Sequence, residues 1–419
     1  MWFHTIGARW GPVKLREAGG DVKILVLNCG SSSLKYQLMN MQDESVLAKG
    51  LVERIGIAGS RIKHVRTGLD AVVRDTDIPN HKVAIKLVLE ALLDPNHGAL
   101  RDLSELSAAG HRVVHGGELF TTSVRIDADV IKGIEEVIHL APLHNPANLQ
   151  GIRAMMDALP DLPSVAVFDT AFHQTMPPRA FVYGIPYHYY EKDRVRRYGF
   201  HGTSHFYVAH RAAEILGRPV GELKIVTCHL GNGSSVTAVN GGKCVDTSMG
   251  LGTAEGVLMG TRSGNVDPSV MLFLMEQEND PKVVSHIVHK ESGLQGISGF
   301  SSDLRDIEEE AEKGNERAQL AFDMLCYGIR KYIGSYAAAM GGLDAVVFTA
   351  GIGENSSLLR EKVSEGLGFL GAHFDPSRNQ VRGKEAEISA PGSKVKILVV
   401  PTNEELVIAR DTRDLVGKR

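Results

Sequence analysis

The sequence has almost no tryptophan, few cysteines, no long apolar run and no excess of either charge. Each shortage excludes something. Both tryptophans, Trp2 and Trp10, precede the first strand-like segment, which begins at Lys23. The opening stretch lacks a continuous apolar core and is a poor secretory signal. Residues 1–20 are therefore expected to be an extension outside the fold. Four cysteines, Cys29, Cys228, Cys244 and Cys326, contain no CxxC pair. They suit small core positions in a reducing, cytoplasmic setting rather than a disulfide frame or a zinc site. No apolar run approaches the roughly 18–20 residues of a membrane helix, so no membrane partner is expected. Lys plus Arg is 46 and Asp plus Glu is 50, a formal charge of −4. That balance argues against a nucleic-acid binder, which carries a basic excess, but leaves room for a local anion pocket.

Glycine is in surplus: 45 of 419 residues, where about 7% is ordinary. The length predicts two or three domains of roughly 100–200 residues each, large enough to need no disulfide or metal staple. With no low-complexity tract, the glycines predict tight turns and close backbone approaches. Nine lie between Gly231 and Gly264, and others stand at predicted strand ends, such as Gly30 and Gly351.

A repeated plan runs along the chain. The apolar run Lys23–Asn28 meets Cys29-Gly30-Ser31-Ser32-Ser33, and Leu34, Tyr36 and Leu38 then alternate with polar residues as in a half-buried strand. About 200 residues on, Lys224–His229 meets Leu230-Gly231-Asn232-Gly233-Ser234-Ser235, a second strand follows, and Asn240-Gly241-Gly242 marks a hairpin. Asp344–Thr349 runs into Ala350-Gly351-Ile352-Gly353-Glu354-Asn355, and Val395–Val400 into Pro401-Thr402-Asn403-Glu404-Glu405. Helical patterns separate them: Val83–Leu93, Leu320–Leu343 with Leu320, Met324, Ile329, Ile333 and Ala337 along one broad side, and a closing helix over Glu405–Val416. The pattern predicts an α/β protein of two related domains with ligand loops at the carboxyl ends of the strands.

Three constellations carry chemistry. Glycine-serine loops leave backbone N–H groups free for phosphate: Asn28–Ser33, His229–Ser234 and Gly351–Asn355. None matches a P-loop or a dinucleotide fingerprint. Lys35 shares a strand face with Ser33, within reach of a terminal phosphate. Arg112, beside Val113-Val114, and Arg262, isolated in Gly260-Thr261-Arg262-Ser263-Gly264, would together clamp a carboxylate or phosphoryl group. Asp169 follows the apolar run Val165–Phe168. His201 and His205 stand four apart, but no HExxH glutamate accompanies them, so zinc is not expected. Asn403, Glu404 and Glu405 offer oxygen ligands suited to Mg²⁺, although Glu405 also reads as a helix N-terminal carboxylate. Phosphate loops, a metal carboxylate, arginines and an aspartate together describe phosphoryl-transfer equipment.

The motifs LNCGSSSLKYQL, GHRVVHGGELF, APLHNP, VFDTAFH, RRYGFHGTSH, HLGNGSS, GTRSG, SSDLRDIE, TAGIGENSS and VPTNEEL, in this order from about Lys23 to Asp411, resemble the acetate kinase family. The resemblance implies a duplicated ribonuclease H-like (actin/Hsp70/sugar-kinase) fold, two domains around a central nucleotide cleft, and homodimers using ATP/ADP with Mg²⁺, or Mn²⁺ in its place. It implies an N-terminal domain over 21–171 plus 405–419 and a C-terminal nucleotide-binding and dimerisation domain over 172–404. By motif, Asn28 and Glu404 resemble the metal positions, and Ser31, Ser33 and Lys35 those near the phosphoryl groups. Asp169 resembles the catalytic aspartate, Arg112 and Arg262 the pair holding the acyl carboxylate and the transferring group, His201 the transition-state donor and His144 its helper. Val114, Leu143 and Phe200 resemble the acyl-pocket wall. His229, Leu230, Gly231, Asn232 and Gly233, then Asp303, Leu304 and Arg305, then Gly351, Ile352, Gly353, Glu354 and Asn355 resemble three nucleotide-binding segments.

One departure stands out. Where the family commonly reads TPLEG after SMG, this sequence has Leu251-Gly252-Thr253-Ala254-Glu255-Gly256. Thr253 replaces a proline that helps wall the small acyl pocket, which leaves acetate and propionate both open as substrates. A filament-forming actin-like protein would share the nucleotide loops without needing Arg112, Arg262 and His201. A chaperone-type ATPase would need a further substrate-binding domain, for which the length to Arg419 leaves no room.

Overall fold

The computed structural model of the protein describes residues 22–417; the expected extension over 1–20 lies outside them. Two mixed sheets carry the fold. The first contains β1 (Lys23–Cys29), β2 (Ser33–Asn40), β3 (Ser45–Glu53), β4 (Arg61–Arg66), β5 (Val72–Asp75), β6 (Leu106–Val113), β7 (Val124–Arg125) and β8 (Ser164–Phe168), in the order β5-β4-β3-β2-β1-β6-β8-β7. The second contains β9 (Lys224–Leu230), β10 (Ser234–Asn240), β11 (Lys243–Thr247), β12 (Ala345–Thr349), β13 (Ala386–Glu387) and β14 (Lys396–Val399), in the order β11-β10-β9-β12-β14-β13.

The two sheets share one core plan. In the first, β3, β2 and β1 run antiparallel, and β6 and β8 continue parallel to β1. In the second, β11, β10 and β9 run antiparallel, and β12 and β14 continue parallel to β9. The weak repeat between the segments opening at Lys23 and Lys224 is therefore a duplicated architecture. Residue patterns match the layering. Interior parallel strands are covered on both faces and read as unbroken apolar runs; every residue of Ser164–Phe168 and of Ala345–Thr349 is buried. On β2, Leu34, Tyr36 and Leu38 are buried while Lys35 is exposed. The β10–β11 turn takes the Gly241-Gly242 pair with φ of 61° and 76°, the sign that a two-residue hairpin requires.

Helices cover both faces of each sheet. His81–Leu92 packs on the first sheet, with Asn145–Ala158 beside it. The closing helix Glu404–Val416 returns to the opposite face and buries Leu406, Ile408 and Ala409 against Ile24, Val26, Val165 and Val167. Its close approach requires Gly110: a Cβ there would lie 2.5 Å from Thr412 Oγ1. On the second sheet, Gly202–Leu216 covers one face and Glu316–Met340 the other.

The long helix corrects one expectation. Ile329, Ile333 and Ala337 are buried together with Phe322, Leu325 and Cys326, but Leu320 and Met324 are exposed on the far side with Tyr327. The helix is apolar on two faces, and the assumed single stripe mixed residues of both. Beside it, Asn265 Nδ2 donates to Tyr332 Oη at 2.8 Å and leads into the helix Pro268–Glu278. That helix buries none of its own residues and exposes Val270, Leu272, Phe273 and Met275. The four cysteines are free and buried. Among the described residues, no helix is long and apolar enough to cross a membrane.

Candidate active site

The parallel trio β1, β6 and β8 ends side by side and delivers Asn28, Arg112 and Asp169 to one place. Arg112 Nε donates to Asp169 Oδ1 at 3.0 Å, its Nη2 closes a second bond to Oδ2, and Nη1 donates to Asn28 Oδ1 at 3.1 Å. Asp169 is 1% exposed, and such a buried carboxylate is tolerable only when paired. Burial pulls the Arg112 pKa down, but Asp169, Glu404 and Glu405 more than offset it and hold the guanidinium firmly charged. Arg112 is thus committed to Asp169 and Asn28 in this structure rather than reaching into open space.

Glu404 stands in the first turn of the closing helix, whose N-cap, Asn403, accepts from Leu406 N–H at 3.1 Å. Burial pushes the Glu404 carboxyl up to about 7, with Asp169 and Glu405 adding repulsion and Arg112 and Lys35 opposing it. Asn28, Lys35, Arg112, Glu404 and Glu405 line one cavity of about 330 Å³. Lys35 is the cross-strand partner of Asn28. In the turn between them, Asn148 Nδ2 donates to Cys29 O at 2.6 Å and His81 Nε2 meets Gly30 O at 2.7 Å. The turn's carbonyls are held from behind, while Ser31 stays exposed and Ser33 opens β2.

The second sheet supplies a second group of candidate residues, none of which lines that cavity. β9 ends in His229 and Leu230, and the Gly231–Gly233 loop turns into β10. Arg262 lies against that loop: a Cβ on Gly233 would be 3.3 Å from its Nη1. Arg262 Nη1 donates to Thr253 O at 3.1 Å, and no carboxylate pairs with it among the described residues. Burial lowers its pKa. A half-buried guanidinium without an anion marks a site for an anionic ligand. Thr253, the departure from the family pattern, thus supplies the carbonyl that holds a candidate catalytic arginine.

His201 connects the two groups. It precedes the helix Gly202–Leu216 with a left-handed φ of 56°, a conformation that costs a non-glycine residue energy and clusters at functional sites. Gly202 N–H donates to Asp169 O at 2.9 Å, and a Cβ there would fall 2.2 Å from that oxygen. The His201 ring stacks on His229 at 4.1 Å, and its Nδ1 meets Ser235 Oγ at 2.9 Å. Its pKa is held well below the ordinary value by burial first, then by His229, His205, Arg112 and Arg262. His144, at the start of Asn145–Ala158, is lowered by burial and by the same two arginines. Both histidines therefore feel both guanidiniums. His205 has each ring nitrogen on a hydroxyl, Thr227 and Ser235, so the four-residue histidine spacing serves hydrogen bonding.

Val114 and Phe200 pack with Met249 and Met259 in a small apolar cluster. The two methionines were not anticipated; their position beside the SMG and GTRSG motifs was the available clue. Leu143 is not brought to this cluster and is 74% exposed. The expected loop at Gly351–Asn355 is a short helix, Ala350–Asn355, entered through Ala350 at φ 63°. It forms because Gly353 permits the turn to lie against Phe348 and Cys228. Glu354 is turned back, accepting from Thr402 N–H at 3.1 Å, Asn355 Nδ2 donates to Gly351 O, and Ile352 packs on the core. Asp303 caps the helix Leu304–Glu312 and pairs with exposed Arg305. The side chains of Leu230 and Leu304 belong to the core, which leaves only their backbones for a ligand. Asn232 O accepts from Gly260 N–H at 3.2 Å, tying the loop to the Arg262 segment.

The sequence pattern of the acetokinase family matches residues 23–410. The chain belongs to that family. An acetate kinase of Treponema denticola is 59% identical over 396 residues, spanning 94% of this chain and 100% of that one. An acetate kinase of Thermotoga maritima is 59% identical over 401 residues, spanning 95% and 99%. The crystal structure of Porphyromonas gingivalis acetate kinase superposes with a TM-score of 0.91 at 51% identity over 94% of this chain and 100% of that one. A propionate kinase from Francisella tularensis follows at 0.88 and 41%, with the same coverage. The acetokinase fold thus accounts for both sheets.

Proposed function

We propose that this protein is an acetate kinase: it transfers the γ-phosphoryl group of ATP reversibly to acetate, giving acetyl phosphate and ADP. The observation that carries the reading is Arg262, a half-buried cation with no anionic partner among the described residues, lying against the Gly231–Gly233 loop. The identity to named acetate kinases supports it.

Acetate is already an anionic nucleophile at neutral pH, so its deprotonation is no barrier. The obstacle is bringing two anions together and stabilising charge on the transferring group. In this reading Arg262 and Arg112 neutralise acetate and the phosphoryl oxygens, His201 donates a hydrogen bond to the charge that develops, and His144 assists. Asp169 fixes the Arg112 fork. The Val114, Phe200, Met249 and Met259 cluster receives the methyl group. Ser31, Ser33 and Lys35 on one side and the Gly231–Gly233 and Gly351–Asn355 backbones on the other hold the nucleotide phosphates. Asn28 and Glu404, the latter a carboxylate destabilised by burial, are the oxygen donors that would hold Mg²⁺. When bound, the ion supplies charge neutralisation at the phosphates.

The exposed apolar faces of Pro268–Glu278 and Glu316–Met340 support a homodimer formed through them. The free buried thiols and the nucleotide substrate suit the cytoplasm. Propionate is the second reading, favoured by the Thr253 departure and by the structural likeness to a propionate kinase.

Purified protein given ADP, Mg²⁺ and acetyl phosphate is expected to form ATP, with kcat/KM in the forward direction falling from acetate to propionate to butyrate. No ATP would overturn the reading; a maximum at propionate would replace acetate.

A further inference from the structure

A hydrogen-bond chain runs from the interior of the second sheet to His201. Thr227 Oγ1 lies 2.7 Å from His205 Nδ1, His205 Nε2 lies 2.7 Å from Ser235 Oγ, and Ser235 Oγ lies 2.9 Å from His201 Nδ1. Thr227, His205 and Ser235 are fully buried, so water does not compete for their protons. Each hydroxyl has one proton, and each neutral imidazole has one. Ser235 Oγ is buried and has no hydrogen-bond partner but these two imidazoles among the described residues, so its own proton goes to one of them and the chain has two polarities.

In one polarity Thr227 donates to His205 Nδ1, His205 Nε2–H donates to Ser235, and Ser235 donates to His201 Nδ1. His201 then carries its proton on Nε2. In the other, every bond is reversed, and the Thr227 hydroxyl must find a different acceptor. Among the described residues its one alternative is Thr237 O, at 3.5 Å, at the limit of hydrogen bonding. The 2.7 Å contact with His205 persists in either polarity, so the second one leaves a buried hydroxyl proton poorly satisfied, which is costly. The end of the chain remote from the cleft thus selects the first polarity.

The imidazoles of His201 and His205 both have pKa values held well below the ordinary range, by burial first. They are neutral near pH 7, so the tautomer matters. A neutral His201 donates from Nε2 only if its Nδ1 is bare.

We propose that Thr227, His205 and Ser235 are positioning residues that fix His201 as its Nε2–H tautomer, ready to donate a hydrogen bond to the transferring phosphoryl group. The assignment of that recipient rests on the kinase reading; the tautomer itself does not. Tautomer control of this kind matters elsewhere too: a catalytic imidazole held as the wrong tautomer loses most of its effect even with its geometry intact. The His201 ring is held between the Ser235 hydroxyl and the His229 ring, which fixes its direction before any ligand arrives.

The test has two independent arms. The first is ¹⁵N NMR of the imidazole-labelled full-length protein at pH 7.5, with His201 assigned by its loss in His201→Gln. A protonated Nε2 and a bare Nδ1 are expected; a protonated Nδ1 would overturn the proposal whatever the enzyme's activity. The second compares Thr227→Val, which keeps shape but removes the donor, with Thr227→Ser, which keeps it. Thr227→Val is expected to move the His201 proton toward Nδ1 and to lower kcat by up to about 10²-fold, the scale for one lost donor at a developing charge, with KM for acetate and ATP unchanged. Thr227→Ser is expected to restore both. If Thr227→Val leaves the tautomer and kcat as they were, the chain does not set the proton. If the tautomer shifts and kcat does not, His201 is not the donor; the kinase reading then loses that role while the tautomer assignment stands.

Discussion

Arg112 and Asp169 are locked edge to edge: two guanidinium nitrogens face two carboxylate oxygens, and the third reaches Asn28. One side chain thereby joins three strand ends. Arg262 has no such anchor: among the described residues it holds a backbone carbonyl and the sulfur of Met259.

The two arginines should therefore fail differently. Arg112→Ala leaves the Asp169 charge buried and unpaired, so a stability loss of about 3–5 kcal/mol is expected together with loss of turnover. Arg262→Ala removes a cation that nothing inside the protein needs. Its kcat should fall by roughly 10²–10³, with a melting temperature within a degree or two of the parent. Thermal melts and steady-state kinetics on both variants check this. A strongly destabilised Arg262→Ala, or one with near full kcat, would contradict the assignment.

Gly202→Ala is expected to be disproportionately harmful for a single methyl. The new Cβ would fall 2.2 Å from Asp169 O and 3.0 Å from the Phe172 side chain. Helix propensity alone favours Ala over Gly by about 1 kcal/mol. Any gain of that size is lost to a displaced helix start carrying His201. A fall in kcat of at least about tenfold without loss of secondary structure is expected, measured by kinetics and circular dichroism.

The extent to which this was legible in sequence depends on how local each feature is. Strand ends with glycine loops are local, so the duplicated plan and the placement of Asn28 and Asp169 at such ends followed from runs of a few residues. Contacts between distant segments were not visible. Nothing near Thr253 announces that its carbonyl meets Arg262, and Met249 and Met259 reach Val114 only through the fold. Leu143 looked like pocket wall by motif, yet its loop leaves it in solvent. The two-faced helix Glu316–Met340 misled for the same reason: apolar residues facing the sheet and facing outward have the same periodicity.

The acyl pocket wall predicts selectivity. Val114 is buried among Phe200, Met249 and Met259, and Val114→Ala removes two methyl groups from it. Space for one more methylene is worth roughly 1–3 kcal/mol. The ratio of kcat/KM for propionate over acetate should rise by about tenfold or more, read from hydroxamate assays with each acid. An unchanged ratio would place the methyl group elsewhere.

Acid should unfold the protein partly through its buried histidines. His111 is 2% exposed, its Nε2 has no hydrogen-bond partner, and burial pushes its pKa down to about 4. The folded chain thus favours neutral imidazole, and the unfolded chain takes up the proton first as pH falls. This contribution to stability is intact above about 6.5 and is lost between there and about 4, at about 1.4 kcal/mol per pH unit. His173, lowered to about 4 mainly by burial, adds to the same window. Denaturant titrations from pH 7 to 5 should show the slope, and His111→Gln should reduce it by one proton's worth.

The last prediction concerns the face that nothing covers. Leu272 and Phe273 are 67% and 58% exposed on a helix that buries none of its own residues. Leu320, Met324 and Tyr327 are likewise exposed on the long helix Glu316–Met340. Large exposed apolar patches mark interaction sites, and a two-fold pairing would place the same helices of two copies against each other. The parent is expected to sediment as a dimer, and the double variant Leu272→Asp with Phe273→Asp, which puts four charges into that proposed interface, as a monomer. None of these side chains supports the sheet, so the isolated monomer should keep its far-UV spectrum. A variant that remains dimeric would move the interface to another face.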